Sequence, residues 1–195
     1  MDTQNQPRLY LVTGASGYVG GRLVRDLHGD GKRVRVLVRD AKKIKGQSWA
    51  NDVEIIEGNA SNAQDLDRAL AGVHTAYYLL HSINVATDFG DIESAMAKGF
   101  AESAARQNVQ QIIYLGGIAN DENRSRHLTS RMNTGSQLAS TTVSVLELRA
   151  GIIIGSGSAS FEMLRHLTHR LPIMTTPKWV SNRTQPIAIR DVLYY

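Results

Sequence analysis

The sequence predicts an α/β fold built on a doubly wound parallel sheet, and three observations carry that prediction. Six short apolar runs alternate with segments of helical periodicity between Leu9 and Leu148, a rhythm that builds a parallel sheet covered on both faces. The first run leads into a glycine-rich turn, Gly14-Ala15-Ser16-Gly17-Tyr18-Val19-Gly20, which opens a helix. The 195 residues match one such domain, and 42% of them are hydrophobic, enough for a sizeable core.

Leu9-Tyr10-Leu11-Val12-Thr13 reads as a buried first strand. Val19, Leu23, Val24 and Leu27 recur at helical spacing, with Gly29 and Gly31 marking the exit. Val34 to Val38 is the second strand and Val53 to Ile56 the third, followed by a short helix from Asp65 to Ala71. Thr75 to Leu80 is the fourth strand, and an alanine-rich helix covers Asp88 to Gln107. Ile112 to Leu115 is the fifth strand, closed by Gly116-Gly117; a polar loop follows, then a helix from His127 to Ala139. Val143 to Leu148 is the sixth strand. Right-handed crossovers then give the strand order 3-2-1-4-5-6, the Rossmann-type arrangement. Tyr114 and at least one of Tyr77 and Tyr78 are expected in the core.

After the sixth strand the rhythm changes. Gly155-Ser156-Gly157-Ser158 is a flexible loop, Phe161 to His169 a helix, and Pro172, Pro177 and Pro186 divide the remainder. The expectation is a single domain over residues 1–195, with a flexible N-terminus at 1–7 and a small irregular substrate-side region at 155–195. Ile189 to Tyr195 reads as a helix only begun, so a C-terminal cap beyond Tyr195 is expected to be missing. By fold analogy, Trp179 and the segment Thr175 to Arg183 line a substrate cleft.

Composition removes several function classes. With no cysteine, disulfides, thiolate catalysis and cysteine-ligated zinc are excluded. His166 and His169 are three apart on a helix but lack a carboxylate pattern, so no metal site is expected. The polar stretch Met1 to Arg8 has no signal core and no run approaches a membrane span, which makes a cytoplasmic location, without a membrane partner, the expectation. Seven basic residues crowd between Lys32 and Lys45 (Lys32, Arg33, Arg35, Arg39, Lys42, Lys43, Lys45) against one acid, Asp40. No aromatic or helix-turn-helix feature accompanies them, so no nucleic-acid partner is expected. One of these residues fits a phosphorylated small molecule, and the others read as surface.

The turn supplies what a phosphate needs at a helix N-terminus. Gly14 takes the strained geometry, Gly17 lets backbone approach a pyrophosphate, and Gly20 permits close helix–strand packing. Its place after an apolar strand and before an amphipathic helix is the context of a dinucleotide site. The second strand ends Val38-Arg39-Asp40. Arginine there accommodates the 2′-phosphate of NADP(H), whereas an acid accepts the ribose hydroxyls of NAD(H). NADP(H) through Arg39 is the first choice, and NAD(H) through Asp40 the second. After the third strand, Gly58-Asn59-Ala60 brings Asn59 near the adenine amine, with Ala60 beside it.

TGASGYVG, VLVRD, YYLLHS, YLGGI, ELRAGIIIGSGSASFE and RTQPIAIRDV together resemble the atypical short-chain dehydrogenase/reductase family, in its NmrA-like, NAD(P)H-binding branch. The later motifs are similar to a subgroup likened to nucleoside-diphosphate-sugar epimerases, whose members are commonly longer. The resemblance implies a pyrophosphate turn at Gly14, Ser16, Gly17, Tyr18 and Gly20, and Arg39 on the 2′-phosphate. It implies Leu79, Leu80 and His81 beneath the riboses, and Ala150, Gly151 and Ile152 near the nicotinamide. For His81 a purely structural role is an equal alternative. Gly116, at the end of the fifth strand, and Arg131 complete the cofactor set.

The catalytic positions depart from the family. Active relatives carry a tyrosine with a lysine four residues later, and a serine or threonine at the end of the fifth strand. This chain has no YxxxK; the corresponding helix reads His127-Leu128-Thr129-Ser130-Arg131, and the strand ends in two glycines. Arg131 can hold ribose hydroxyls but cannot shuttle a proton. His127, with an ordinary pKa of about 6.5, can replace the tyrosine as general acid; alternatively it only starts a helix. Two functions remain open: an NADPH-dependent oxidoreductase or epimerase-like enzyme on a small carbonyl or sugar-nucleotide, and a non-catalytic NADP(H)-sensing regulator of the NmrA type. The assembly expected is a monomer or homodimer.

Overall fold

The computed structural model describes residues 7–80, 89–118, 126–170 and 184–195. They fall into two compact units, residues 1–148 and 149–195, divided after Leu148.

The first unit is the doubly wound sheet. Strands β1 (Leu9–Thr13), β2 (Arg33–Val38), β3 (Glu54–Glu57), β4 (Thr75–Tyr78), β5 (Gln111–Gly117) and β6 (Ser144–Ala150, whose last two residues belong to the second unit) lie in the order β3-β2-β1-β4-β5-β6. β1 pairs in parallel with β2 and β4, β2 with β3, and β4 with β5, running from Leu9 opposite Arg33 to Thr13 opposite Leu37 between β1 and β2. The expected order therefore stands. Helix α1 (Tyr18–Gly29) packs on one face. Helices α2 (Ala63–Leu70), α3 (Phe89–Arg106) and α4 (Arg126–Leu138) form a layer that packs α2 on α3 and α3 on α4.

Alternating strand residues feed two cores. Leu9, Leu11, Leu37, Ala76, Tyr78, Ile112 and Tyr114 bury with Phe100 and Leu138, while Val12, Val34, Val36 and Val38 bury with Val24, Ile44 and Trp49. This is the period-two side-chain alternation of a strand covered on both sides. Tyr78 and Tyr114 are both core residues, and Tyr78 meets Phe100 edge-on at 5.0 Å and Tyr114 at 6.2 Å.

Several boundaries differ from the sequence reading for identifiable reasons. β4 stops at Tyr78 rather than Leu80, because the Leu79 N–H donates to the Thr13 hydroxyl at 3.1 Å. α2 begins at Ala63 rather than Asp65, since the Asn62 side chain caps it by accepting from the Gln64 and Asp65 N–H groups. β5 contains Gly116 and Gly117 instead of ending before them. A short 3-10 helix, Ala41–Ile44, follows β2 and was not expected. Within the basic cluster, Arg35 is not a surface residue. Its side chain is 11% exposed, donates to the carbonyls of Ala69 and Ala71 at 2.8 and 2.7 Å, and pairs with Glu54 at 2.9 Å. It closes the C-terminal end of α2, where main-chain carbonyls lack helical partners. Lys32, Arg33, Lys42, Lys43 and Lys45 are exposed.

The second unit holds β7 (Ile153–Ile154), α5 (Ala159–Arg170), β8 (Ile187–Ala188) and α6 (Ile189–Tyr194). β7 and β8 pair in parallel, Ile153 with Ile187 and Ile154 with Ala188, in a two-stranded sheet absent from the sequence reading. This joins the ELRAGIIIGSGSASFE and RTQPIAIRDV motifs. An added side chain at Gly151 would start 2.4 Å from the Gln185 carbonyl oxygen, so the close approach requires glycine. His166 and His169 are exposed on α5, and Trp179 with the segment Thr175 to Arg183 lies outside the described residues.

Candidate functional site

β1 and β4 are neighbours at the centre of the sheet, and the chain leaves them toward opposite faces, opening a crevice at their carboxyl ends. Thr13 fixes the floor of that crevice. Its fully buried hydroxyl donates to the Tyr77 carbonyl at 2.9 Å and accepts from the Leu79 N–H at 3.1 Å.

The glycine turn rises from this floor. Gly14 adopts φ +72°, and an ideal Cβ there would lie 2.7 Å from the Leu79 carbonyl oxygen. A Cβ on Gly20 would lie 2.3 Å from the Gly14 carbonyl oxygen, which only the bare residue can tolerate. Gly17 is the N-cap of α1, with no capping side chain and no acid in the first turn. The first N–H groups of α1 thus lack both a side-chain acceptor and a competing carboxylate, the condition for binding an anion.

Above the turn lies a cleft of about 400 Å³. Its lining includes Gly14, Ser16 and Gly17 of the turn, Arg39 after β2, Gly58 to Ser61 after β3, Leu79 and Leu80 after β4, and Ile92, Glu93 and Met96 of α3. Arg39 is exposed and has no hydrogen-bond or ion-pair partner among the described residues. Asp40 does not line the cleft, and its carboxylate accepts from the Lys42 N–H at 2.9 Å as cap of the 3-10 helix. The bare turn and the open helix end fit the pyrophosphate of a dinucleotide, with the free guanidinium of Arg39 beside them.

The wall after β3 is braced by Asp65, whose role was not foreseen. Its carboxylate accepts from the Asn59 N–H at 2.8 Å and from Arg68 at 2.6 Å. The Asn59 N–H, then Arg68, hold this carboxyl below the usual carboxylate range. On the opposite wall, the Ser130 hydroxyl donates to Glu93 at 2.6 Å, and both residues are buried. Trp49, 2% exposed, donates its indole N–H to the Gly21 carbonyl at 3.0 Å and anchors the loop after β2 onto α1. The signals for Asp65, Glu93, Ser130 and Trp49 lay in the sequence only as polar or aromatic residues beside an apolar run.

The expected site residues do not all converge on the cleft. Ala15, Tyr18, Val19 and Gly20 support the turn without lining it; Ala15 is fully buried, and Arg22 stacks 3.9 Å over the Tyr18 ring. Gly116 and Arg131 also do not line it. Arg131 donates to the Leu115 carbonyl, and its own carbonyl accepts from the Tyr114 hydroxyl at 2.9 Å. Burial pushes the Tyr114 phenol up. Beside Gly116 stands Glu147, whose Oε1 would lie 2.6 Å from a Cβ added there. His81 and the side chain of His127 lie outside the described residues. Ala150, Gly151 and Ile152 sit in β6 and the segment leading to β7, and within the second unit Gly151 packs on Gln185.

Residues 14–144, from the glycine turn into β6, match the family described as NAD(P)H-binding. The chain belongs to this NAD(P)H-binding family. It is 28% identical over 166 residues to a ceramide reductase of Caulobacter vibrioides (strain NA1000 / CB15N), an alignment covering 84% of this chain and 52% of that protein. The chain thus spans about half the length of this curated relative. Among solved structures, WbmG of Bordetella bronchiseptica in complex with NAD matches at a TM-score of 0.76 with 14% identity, over 100% of this chain and 69% of that one. Triphenylmethane reductase of Citrobacter sp. complexed with NADP(H) matches at 0.64 with 20% identity, over 74% and 50%. At these identities the structures establish the Rossmann-type fold alone. No helix among the described residues is long and apolar enough to cross a membrane, and no group of three or more metal-ligating side chains occurs among them.

Proposed function

We propose that this chain binds NADP(H) in preference to NAD(H) and serves as a cytoplasmic NADPH-dependent reductase of a small carbonyl substrate. One observation carries the cofactor choice: Arg39 faces the cleft without a partner among the described residues, while the Asp40 carboxylate is engaged as a helix cap. A guanidinium pairs with a 2′-phosphate; an engaged carboxylate is a poor acceptor for ribose hydroxyls. Reduction is favoured over sugar-nucleotide epimerisation by the likeness to a ceramide reductase. When bound, NADPH supplies the hydride; the chain's own part is to cradle the pyrophosphate on Gly14 to Gly17 and α1, and to donate a proton from His127.

The deciding experiment is calorimetric titration with NADPH and NADH, on the wild type and on Arg39→Ala. The expected result is NADPH preference of about tenfold or more, the scale of a hydrogen bond to a charged group, lost in the variant. Equal binding of both cofactors would transfer the adenosine contact to Asp40. The non-catalytic sensor is the second reading, favoured by one observation: the Tyr114 hydroxyl is buried on the Arg131 carbonyl, and no YxxxK replaces it. Cofactor binding without NADPH oxidation across a panel of aldehydes and ketones would select that reading.

A further inference from the structure

Glu93 is a charged side chain built into the wall of the cleft. It stands on α3 with Ile92 and Met96, lines the cleft with them, and is 8% exposed. Its Oε2 accepts from the Ser130 hydroxyl of α4 at 2.6 Å, and Ser130 is buried as well. A hydroxyl this close to a carboxylate makes a charge-assisted bond, and inside the protein its loss leaves the charge without that donor. Ser130 falls within the first two turns of α4, three residues after His127 and directly before Arg131. Arg131 is held from the other side, donating to the Leu115 carbonyl while its own carbonyl accepts from the Tyr114 hydroxyl. The start of α4 is therefore fastened to β5 through Arg131 and to the cleft wall through Glu93.

We propose that Glu93 is a positioning residue: through Ser130 it sets the turn of α4 that carries His127, and it holds that turn more firmly when the cleft is filled. This rests on the reading of the cleft as the NADPH site and of His127 as the proton donor. An open cleft lets water reach the carboxylate and compete with the Ser130 hydroxyl. A dinucleotide seated against Ile92, Glu93 and Met96 expels that water, and a hydrogen bond to a charge strengthens as its surroundings become less polar. Occupancy of the cleft is thereby passed to Leu128 through Arg131, residues that do not line the cleft themselves. The segment that gives the proton is steadied once the hydride donor is in place.

The test is hydrogen–deuterium exchange with and without NADPH on the wild type, Ser130→Ala and Glu93→Gln, with calorimetry reporting NADPH binding on each. In the wild type NADPH is expected to slow exchange of the amides from Ser130 to Thr134 by about threefold or more, the scale of one hydrogen bond. Ser130→Ala is expected to bind NADPH within about twofold of the wild type and to lose that slowing. The Gly14 to Gly20 turn should stay protected by the cofactor in both. Glu93→Gln replaces a charge-assisted bond by a neutral one, so the slowing should shrink, and this variant decides the matter if Ser130→Ala does not fold. A bond that is only structural would change exchange equally with and without NADPH. That result, or a wild type protected at the turn but not from Ser130 to Thr134, would overturn the assignment. NADPH that neither binds nor protects the turn would remove the dinucleotide reading, and this inference with it.

Discussion

Glu147 on β6 places its Oε1 where a side chain on Gly116 of β5 would begin, 2.6 Å from the ideal Cβ position. Gly135 of α4 bounds the same carboxylate from the other side, with the Glu147 Cδ 3.4 Å from its ideal Cβ, so two glycines make room for one acid. Gly116→Ala is expected to destabilise the protein by about 1 kcal/mol, the low end of overpacking, because the atom that must give way is the end of the Glu147 side chain. In the double variant with Glu147→Ala much of that loss should vanish, because neighbouring substitutions couple. Urea denaturation of the four proteins of the cycle measures the coupling, and additive losses would refute the shared space.

Arg35 ties β2 to the end of α2 through Ala69 and Ala71, and to β3 through Glu54. Arg35→Met keeps much of the stem but removes the donors, and a loss of about 2 kcal/mol is expected for hydrogen bonds from a charged group. Arg35→Lys should rescue only part of it, since one ammonium cannot reproduce the guanidinium fork. Full rescue by lysine in thermal melts would contradict this account.

Trp49 is expected to separate packing from hydrogen bonding. Trp49→Ala should cost about 3–5 kcal/mol through the cavity it leaves. Trp49→Phe, which keeps a ring but strands the Gly21 carbonyl, should cost about 1–3 kcal/mol. Equal losses in the two variants, read from denaturant midpoints, would show that the indole N–H contributes nothing.

His74 gives the fold a pH dependence. Burial, and after it the charge of Arg8, holds its imidazole below the ordinary value of 6.5. The unfolded chain therefore takes the proton more readily than the folded one. The stability attached to this residue is present above about pH 6.5 and is lost as pH falls through the folded value. Denaturation midpoints measured from about pH 8 to about pH 5 should drop more for the wild type than for His74→Gln, and parallel curves would exclude the effect.

The sheet order and the glycine turn were legible because each is written locally, in the alternation of apolar runs and in glycines at fixed spacing. Gly14 and Gly20 do what their spacing implied, since the turn needs a positive φ at one and backbone contact at the other. The choice between Arg39 and Asp40 stayed open in the sequence. An aspartate directly before a helical turn is a capping signal, and it was the one sign that Asp40 faces its own loop. Thr13, Asp65 and the β7–β8 pair were not legible. The Thr13 hydroxyl meets Leu79 across 66 positions, a partnership that local pattern does not encode. Asp65 looked like any acid in a first helical turn until the Asn59 N–H came to rest on it.

The pairing of Ile153 with Ile187 sets an order in time. Parallel strands cannot zip from a hairpin, so the two segments must first find each other across the intervening chain, at an entropic cost that precedes any gain. During synthesis β7 emerges with no partner to accept its exposed edge. It must wait until β8 has left the ribosome, and through that interval the Ile152-Ile153-Ile154 run stays open to chaperones and to misassociation.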